Sequence, residues 1–163
     1  MLGDIMKSVG IIAEYNPFHN GHQYHIQQSK NLTGADAAVV LMSGHFTQRG
    51  LPAVADKWQR AKWAIQGGAD LVFELPFVYA VRSAELFAKG GISILHRLGV
   101  DFLSFGSEIG NLSPLSSTAQ ILAEEPADFR QLLRPGKQFF HKTVIRILLM
   151  VLHHSQDVFQ ITE

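Results

Sequence analysis

The fold of this chain is decided by residues 9–22, which read Val9-Gly10-Ile11-Ile12-Ala13-Glu14-Tyr15-Asn16-Pro17-Phe18-His19-Asn20-Gly21-His22. The first five residues are apolar, and a short run of this kind predicts a buried strand. Asn16-Pro17 is a turn signal, and two histidines then flank Gly21 where a helix is expected to begin. Imidazoles and free helix N–H groups can converge on one anion in this arrangement. The stretch therefore predicts a phosphate-binding element that handles a nucleoside triphosphate.

Apolar runs and helical patterns alternate over the first two thirds of the chain. We expect strands at residues 8–14, 37–42, 70–73 and 101–105, and helices at residues 22–30, 56–67 and 83–99. Strands separated by helices imply right-handed crossovers, so the predicted fold class is α/β with a Rossmann-like, doubly wound parallel sheet. Ligands of such sheets lie beyond the carboxyl ends of the strands. The loops at residues 16–22, 43–56 and 106–108 are therefore expected to meet at one site.

The length, apolar content, charge and cysteine count of the chain limit the classes of protein to which it can belong. The 163 residues suit one domain, and the apolar content of 47% is enough for a core. Fourteen basic residues balance fourteen acidic ones, so the chain has no overall field that would hold a polyanion. The absence of cysteine fits a cytoplasmic location. Asp4 and Glu14 interrupt the pattern of a signal peptide, and Arg146 interrupts the longest apolar run, so we predict no membrane segment.

The histidines also admit simpler interpretations. A lone histidine at a helix start is more often a capping or solvated residue than a catalyst, and only the complete His-x-Gly-His element after a strand favours function. A metal site would use His19, His22 and His25. Because the chain has no cysteine and His25 is rotated away from His19 on a helix, we predict no protein metal site.

Other charged and aromatic residues leave alternatives open. Lys57 and Arg60 are candidates for phosphate or carboxylate contacts, or they belong to a solvated helix face. Trp58 and Trp63 are expected in the core rather than on a base-stacking surface, since large aromatic side chains are usually buried.

Six segments of the chain resemble one family in an unbroken order. They are Gly10 to His22, Met42 to Gly50, Asp56-Lys57, Ala69 to Pro76, Ser83-Ala84-Glu85 and Phe105-Gly106-Ser107-Glu108. Together they resemble the bacterial tRNA(Met) cytidine acetate ligases, a family within the nucleotidylyltransferase superfamily. The resemblance covers roughly residues 8–135. It implies a sheet of the nucleotidylyltransferase type.

The resemblance also implies a reaction and a site. Acetate would attack the α-phosphate of ATP to give acetyl-adenylate and pyrophosphate, and the acetyl group would pass to N4 of the wobble cytidine of elongator tRNA(Met). Mg²⁺ is expected as the counter-ion of ATP. His19 and His22 are the expected catalytic residues. The expected ATP contacts are Ile12, Ala13, Glu14, Tyr15, Asn16, Pro17, Phe18, His19, Asn20, Gly21, His22, Gln23, Tyr24, His25 and Gly106.

The last part of the chain departs from the family pattern. We predict an ATP-binding nucleotidylyltransferase domain at residues 1–136 and a divergent helical tail at residues 137–163. Family members are longer, and their further region would carry much of the tRNA surface. Two alternatives follow: another adenylyltransferase that acts on a small substrate, and a nucleotide-binding remnant without catalytic activity.

Overall fold

Strands and helices alternate along the computed structural model, which describes residues 6–106, 117 and 157–161. The strands are β1 (Ser8–Ala13), β2 (Ala37–Ser43), β3 (Leu71–Leu75), β4 (Phe102–Gly106) and β5 (Asp157–Ile161). The helices are α1 (Asn20–Thr33), α2 (Lys57–Gln66), α3 (Phe77–Ala80) and α4 (Ala84–Arg97). The first four strands and the three longer helices lie where the sequence predicts them. The short helix α3 was not predicted.

All the strands pair in parallel in one sheet, in the order β3-β2-β1-β4-β5. The chain winds outward from β1 through β2 to β3 and then returns to the other side of β1 with β4. Ile11 is therefore paired with Val40 on one side and with Ser104 on the other. This reversal at β1 is the switch point of a doubly wound sheet. The predicted fold class is confirmed.

The two faces of the sheet are covered by different helices. Buried residues of α1 and α2, including Ile26 and Ala64, pack with Val40 on one face. Buried residues of α4, including Leu95, pack with Leu41 on the other. Successive side chains of β2 thus enter opposite cores, which is why its residues 37–42 are all apolar instead of alternating.

Three aspartates fix the edge of the sheet where its strands begin. Asp36, Asp70 and Asp101 each precede a strand and accept a hydrogen bond from a backbone N–H of a neighbouring strand or its lead-in, at 2.9, 2.7 and 2.7 Å. For Asp70, burial opposes ionisation, but bonds from the Ala38 N–H and Lys30 leave its pKa below the ordinary value. These carboxylates lie at the edge opposite the expected ligand.

The predicted helical tail needs a correction. Residues 157–161 form β5, which pairs in parallel with β4 from Phe102↔Asp157 to Gly106↔Ile161. A local pattern could not reveal this strand, because its partner lies more than fifty residues earlier in the chain. The rest of the predicted tail and the proposed boundary at residue 136 lie outside the described residues. In the part that the structure describes, no helix is long and apolar enough to cross a bilayer.

Candidate functional site

The first turn of α1 forms the centre of the candidate site. β1 ends at the carboxyl edge of the sheet, and the chain passes through a cis Asn16-Pro17 peptide before α1 begins. His19 is the N-cap residue, with an extended backbone at φ −145° and ψ 175°. The N–H groups at the helix start therefore face the carboxyl edge, where a parallel sheet of this kind binds ligands.

Backbone N–H groups hold both histidine rings in place. The Gly21 N–H donates to Nδ1 of His19 at 3.1 Å, and the His19 N–H donates to Nδ1 of His22 at 3.3 Å. The two rings stack with their centroids 3.6 Å apart and an interplanar angle of 24°. The pair is a reciprocal cap in which imidazoles take the place of the usual hydroxyl and carboxylate.

This geometry determines which ring nitrogens can face a ligand. Because Nδ1 of His19 and Nδ1 of His22 both accept hydrogen bonds, each neutral ring carries its proton on Nε2. Partial burial and, to a smaller extent, the neighbouring His19 and His25 together lower the pKa of His22 from 6.5 to about 4. His22 is thus a neutral hydrogen-bond donor near pH 7, and it can hold a phosphate oxygen without a permanent charge.

Gly21 and Tyr15 lie against the rings of the histidine pair. A Cβ at Gly21 would lie 3.0 Å from Cε1 of His19, so only glycine leaves the ring in its capping position without displacement. The buried Tyr15 ring lies 4.8 Å from the His22 ring and 4.9 Å from the Phe18 ring. Tyr15 has a backbone φ of 48°, a strained value for a non-glycine residue. Burial raises the pKa of its hydroxyl, which has no hydrogen-bond partner among the described residues.

A buried polar network joins α1 to β4. Nε2 of His25 lies 3.1 Å from Oγ of Ser104, and the Ser29 hydroxyl lies 2.8 Å from the same oxygen. Ser104 is two residues before Gly106, so the network fixes the end of β4 relative to the histidine pair. Gly106 is exposed, and among the described residues other than its chain neighbours no atom lies within 4 Å of the place where its Cβ would be.

Arg60 ties the loop after β1 to the loop after β2. It is fully buried, and its guanidinium donates to the backbone carbonyls of Glu14, Ser43 and Gly44, while Nε donates to Ala55. The interpretation of Arg60 as a phosphate contact is therefore wrong: its donors are used inside the protein. The sequence offers no signal for this role, because a buried arginine in a helix looks like any surface arginine.

Two further hydrogen bonds join the same loops. The Gln48 N–H donates to the Glu14 carboxylate, and the Val54 N–H donates to Oδ1 of Asn16 at 2.7 Å. Glu14 and Asn16 thus position the loop at residues 44–56. The predicted meeting of the first two loops is observed, whereas residues 107 and 108 of the third lie outside the described residues.

The remaining predicted ATP contacts have different surroundings. Phe18, His19, Asn20 and Gln23 line a cleft of about 270 Å³ between α1 and the end of α2. Ile12 instead points to the α4 face of the sheet, because a Cβ at Gly91 would lie 2.5 Å from its Cδ1. Its side chain therefore faces away from the histidine pair. The ligand contacts of residues 12–25 and Gly106 stay predictions.

Trp58 is not in the core, contrary to expectation. It is 74% exposed, whereas Trp63 is half-buried and lines the cleft between α1 and α2. The side chains in α2 that do enter the core are Arg60 and Ala64. Between residues 6 and 106, no three His, Asp or Glu side chains are close enough to hold a metal ion.

Comparison with known proteins identifies the family. The sequence profile described as HIGH Nucleotidyl Transferase matches residues 6–156. This chain belongs to that family. The match includes the histidine pair, and it continues through residues 137–156, where the sequence pattern alone suggested divergence.

Curated relatives of this HIGH nucleotidyl transferase domain share one name. This chain is 57% identical over 129 residues to the tRNA(Met) cytidine acetate ligase of Caldicellulosiruptor bescii, and the match covers 79% of this chain and 32% of that protein. It is 46% identical over 159 residues to the one of Anoxybacillus flavithermus, covering 95% of this chain and 39% of that protein. The chain thus spans about a third of the length of these relatives.

A solved structure supports the same relationship. The crystal structure of Thermotoga maritima TmcAL bound with alpha-thio ATP matches with a TM-score of 0.81 and 31% identity. The match covers 96% of this chain and 46% of that one. A lipopolysaccharide core biosynthesis protein of Thermoplasma volcanium matches with a TM-score of 0.54 and 15% identity, a likeness of fold alone.

Proposed function

We propose that this domain binds ATP with its triphosphate at the N-terminus of α1. Nε2 of His19 and Nε2 of His22 would donate to phosphate oxygens together with the first N–H groups of the helix. Adenylyl transfer needs in-line positioning and donors aimed at charge that develops on phosphate, and it needs no protein nucleophile. The single observation that carries the proposal is the stacked histidine pair whose Nδ1 atoms are both occupied by backbone N–H groups.

The substrate that we propose for activation is acetate. A carboxylate oxygen of acetate would attack the α-phosphorus of ATP, the bond to the bridging oxygen would break, and pyrophosphate would leave with that electron pair. The amino group at N4 of the wobble cytidine of elongator tRNA(Met) would then attack the acetyl carbonyl and release AMP. The shared name of the curated relatives supports this reaction, and the neighbour with bound alpha-thio ATP supports the nucleotide.

Mg²⁺ would enter this site with the nucleotide. Imidazoles are poor ligands for Mg²⁺, which prefers carboxylate, phosphate and water oxygens. The groups around the histidine pair therefore fit an ion held by the ATP phosphates rather than a site built by the protein. A cytoplasmic location belongs to the same proposal, because ATP, acetate and tRNA meet there.

Calorimetric titration with Mg-ATP tests the nucleotide site. We expect the double variant His19→Ala, His22→Ala to lose measurable ATP binding. His96→Ala is the matched control, since His96 lies in the last turn of α4, at the opposite edge of the sheet. Unchanged ATP affinity in the double variant would remove the proposal, whereas weak binding by both the parent and the control would show that the domain alone is not a nucleotide-binding unit.

A further inference from the structure

An exposed tryptophan stands beside a second cleft, on the other side of α2 from the histidine pair. Trp58 is 74% exposed, the largest exposed fraction among the large apolar side chains from residue 7 to residue 106. Nζ of Lys57 lies 5.2 Å from the centroid of its ring, and much of the ring surface remains open. Trp58 shares the cleft with other apolar side chains, and an exposed apolar patch of this kind is typical of a binding groove.

The cleft has an apolar floor and a polar end. It measures about 250 Å³ and lies at the carboxyl ends of β2 and β3. Its lining comprises Met42, Ser43, Lys57, Trp58, Ala61, Val72, Phe73 and Glu74. The Ser43 hydroxyl is fully buried and has no hydrogen-bond partner among the described residues. A buried hydroxyl without a partner costs free energy, which a polar group of a ligand would recover.

A donor and an acceptor stand side by side at the rim of this cleft. Nζ of Lys57 pairs with the Glu74 carboxylate, and the two side chains are 23% and 45% exposed. The ammonium group offers donors only, and the carboxylate offers acceptors only. The Watson–Crick edge of every nucleobase likewise carries a donor next to an acceptor, and this edge is free only when the base is unpaired.

We propose that this cleft binds one unpaired nucleobase. The base would stack on Trp58 and present its Watson–Crick edge to Lys57 and Glu74, above the apolar floor. Aromatic stacking is the usual way in which proteins hold single-stranded bases, and it tolerates any base because each has a flat π face. The inference rests on the proposed function for the presence of an RNA substrate. It adds a recognition site that is separate from the histidine pair.

The first test measures binding of a fluorescein-labelled single-stranded RNA hexanucleotide by fluorescence anisotropy. We expect Trp58→Ala to weaken binding by about 10-fold or more, and Trp58→Phe to retain most of it. Ile65→Ala is the matched control, because Ile65 is a 46% exposed apolar residue on the same helix. Since Trp58 makes little contact with the core, the variants should fold normally, as circular dichroism can check. Equal binding by Trp58→Ala and the parent would overturn the proposal.

The second test uses Trp58 itself as the reporter. The chain has two tryptophans, so Trp63→Phe leaves Trp58 as the only one. We expect its fluorescence to be quenched by the single-stranded hexanucleotide and by CMP at higher concentration, but not by the same hexanucleotide in a duplex. Quenching by CMP alone would assign the cleft to free nucleotides. Equal quenching by the duplex, or none by any probe, would contradict the inference.

The two proposals can fail separately. Loss of ATP binding in the histidine double variant together with unchanged RNA binding by Trp58→Ala contradicts only the nucleobase site. RNA binding that depends on Trp58, in a domain that does not bind ATP, contradicts only the proposed function.

Discussion

The protonation of His22 couples the candidate site to pH. Its pKa in the folded protein is about 4, below the ordinary value of 6.5, because burial and two neighbouring histidines disfavour the charged ring. As the pH falls from about 6.5 to about 4, the unfolded chain binds a proton that the folded chain does not, so stability decreases over this interval. Above about pH 6.5 both states are neutral, and His22 adds no pH dependence.

Replacement of His22 should therefore reduce the loss of stability that occurs as the pH falls. We expect the urea midpoint of the parent to fall more between about pH 7.5 and about pH 5 than the midpoint of His22→Asn, in which an amide oxygen can accept the His19 N–H bond. Chemical denaturation followed by circular dichroism measures the difference. Parallel profiles for the two proteins would mean that folding does not lower the pKa of His22.

Gly21 has a similarly direct role in the histidine pair. A Cβ at residue 21 would approach the His19 ring to 3.0 Å, so Gly21→Ala should turn this ring away from its capping position. We expect ATP binding to weaken by about 10-fold while the helix persists, because alanine itself favours helix. Calorimetry with Mg-ATP provides the measurement, with the exposed α1 residue Gln27→Ala as control. ATP affinity equal to that of the parent would show that His19 needs no fixed orientation.

Helix α2 depends on Arg60 for its attachment to the two site loops. Arg60→Met removes the guanidinium donors to the carbonyls of Glu14, Ser43 and Gly44 while retaining similar length. Buried carbonyls without partners are costly, and we expect a loss of about 3 kcal/mol in the free energy of unfolding. Lys62→Met, at an exposed position of the same helix, should change it by less than about 0.5 kcal/mol. Urea unfolding of both variants measures the contrast, and similar losses would refute the structural role.

The proposed reaction can be tested on the whole molecule by exchange of labelled pyrophosphate into ATP. Formation of acetyl-adenylate is reversible, so a full-length relative should exchange label only when acetate is present. Removal of one transition-state donor, as in His22→Ala at the matching residue, should slow exchange on the order of 10²- to 10³-fold. Exchange that depends on a mononucleotide or a phosphopantetheine compound instead would favour another adenylyltransferase.

This 163-residue chain by itself should bind tRNA weakly and should not acetylate it. Its formal charge is zero, and affinity for RNA requires neutralisation of phosphates as well as contacts to bases. A cleft that binds one nucleobase can fix the position of the RNA on the domain, but it does not give high affinity. Filter retention of tRNA(Met) at near-physiological salt and mass spectrometry of acetylcytidine measure the two properties. Submicromolar affinity, or acetylcytidine made by this chain with ATP, would show that the domain is sufficient.

Local sequence patterns predicted β1 to β4, α1, α2 and α4, because the residues that begin and end each of these elements lie within it or next to it in sequence. The apolar runs of β1 and β2 are buried on both faces, and Asp56 caps α2 through the Gln59 N–H at 2.8 Å. His19 and His22 were likewise identifiable, since the residues that orient them lie within three positions in the chain. These features follow from interactions between near neighbours in sequence.

The amino-acid sequence by itself thus determined the α/β class, the order of the first strands and helices, and the position of the histidine pair. Only the tertiary structure decided that Arg60 is buried, that Trp58 is exposed, that residues 157–161 join the sheet and that His22 stays neutral. Each of these depends on groups brought together from distant parts of the chain, such as Arg60 and Glu14, which are 46 positions apart. Burial and charge at a residue are set by such partners, and no local pattern records them.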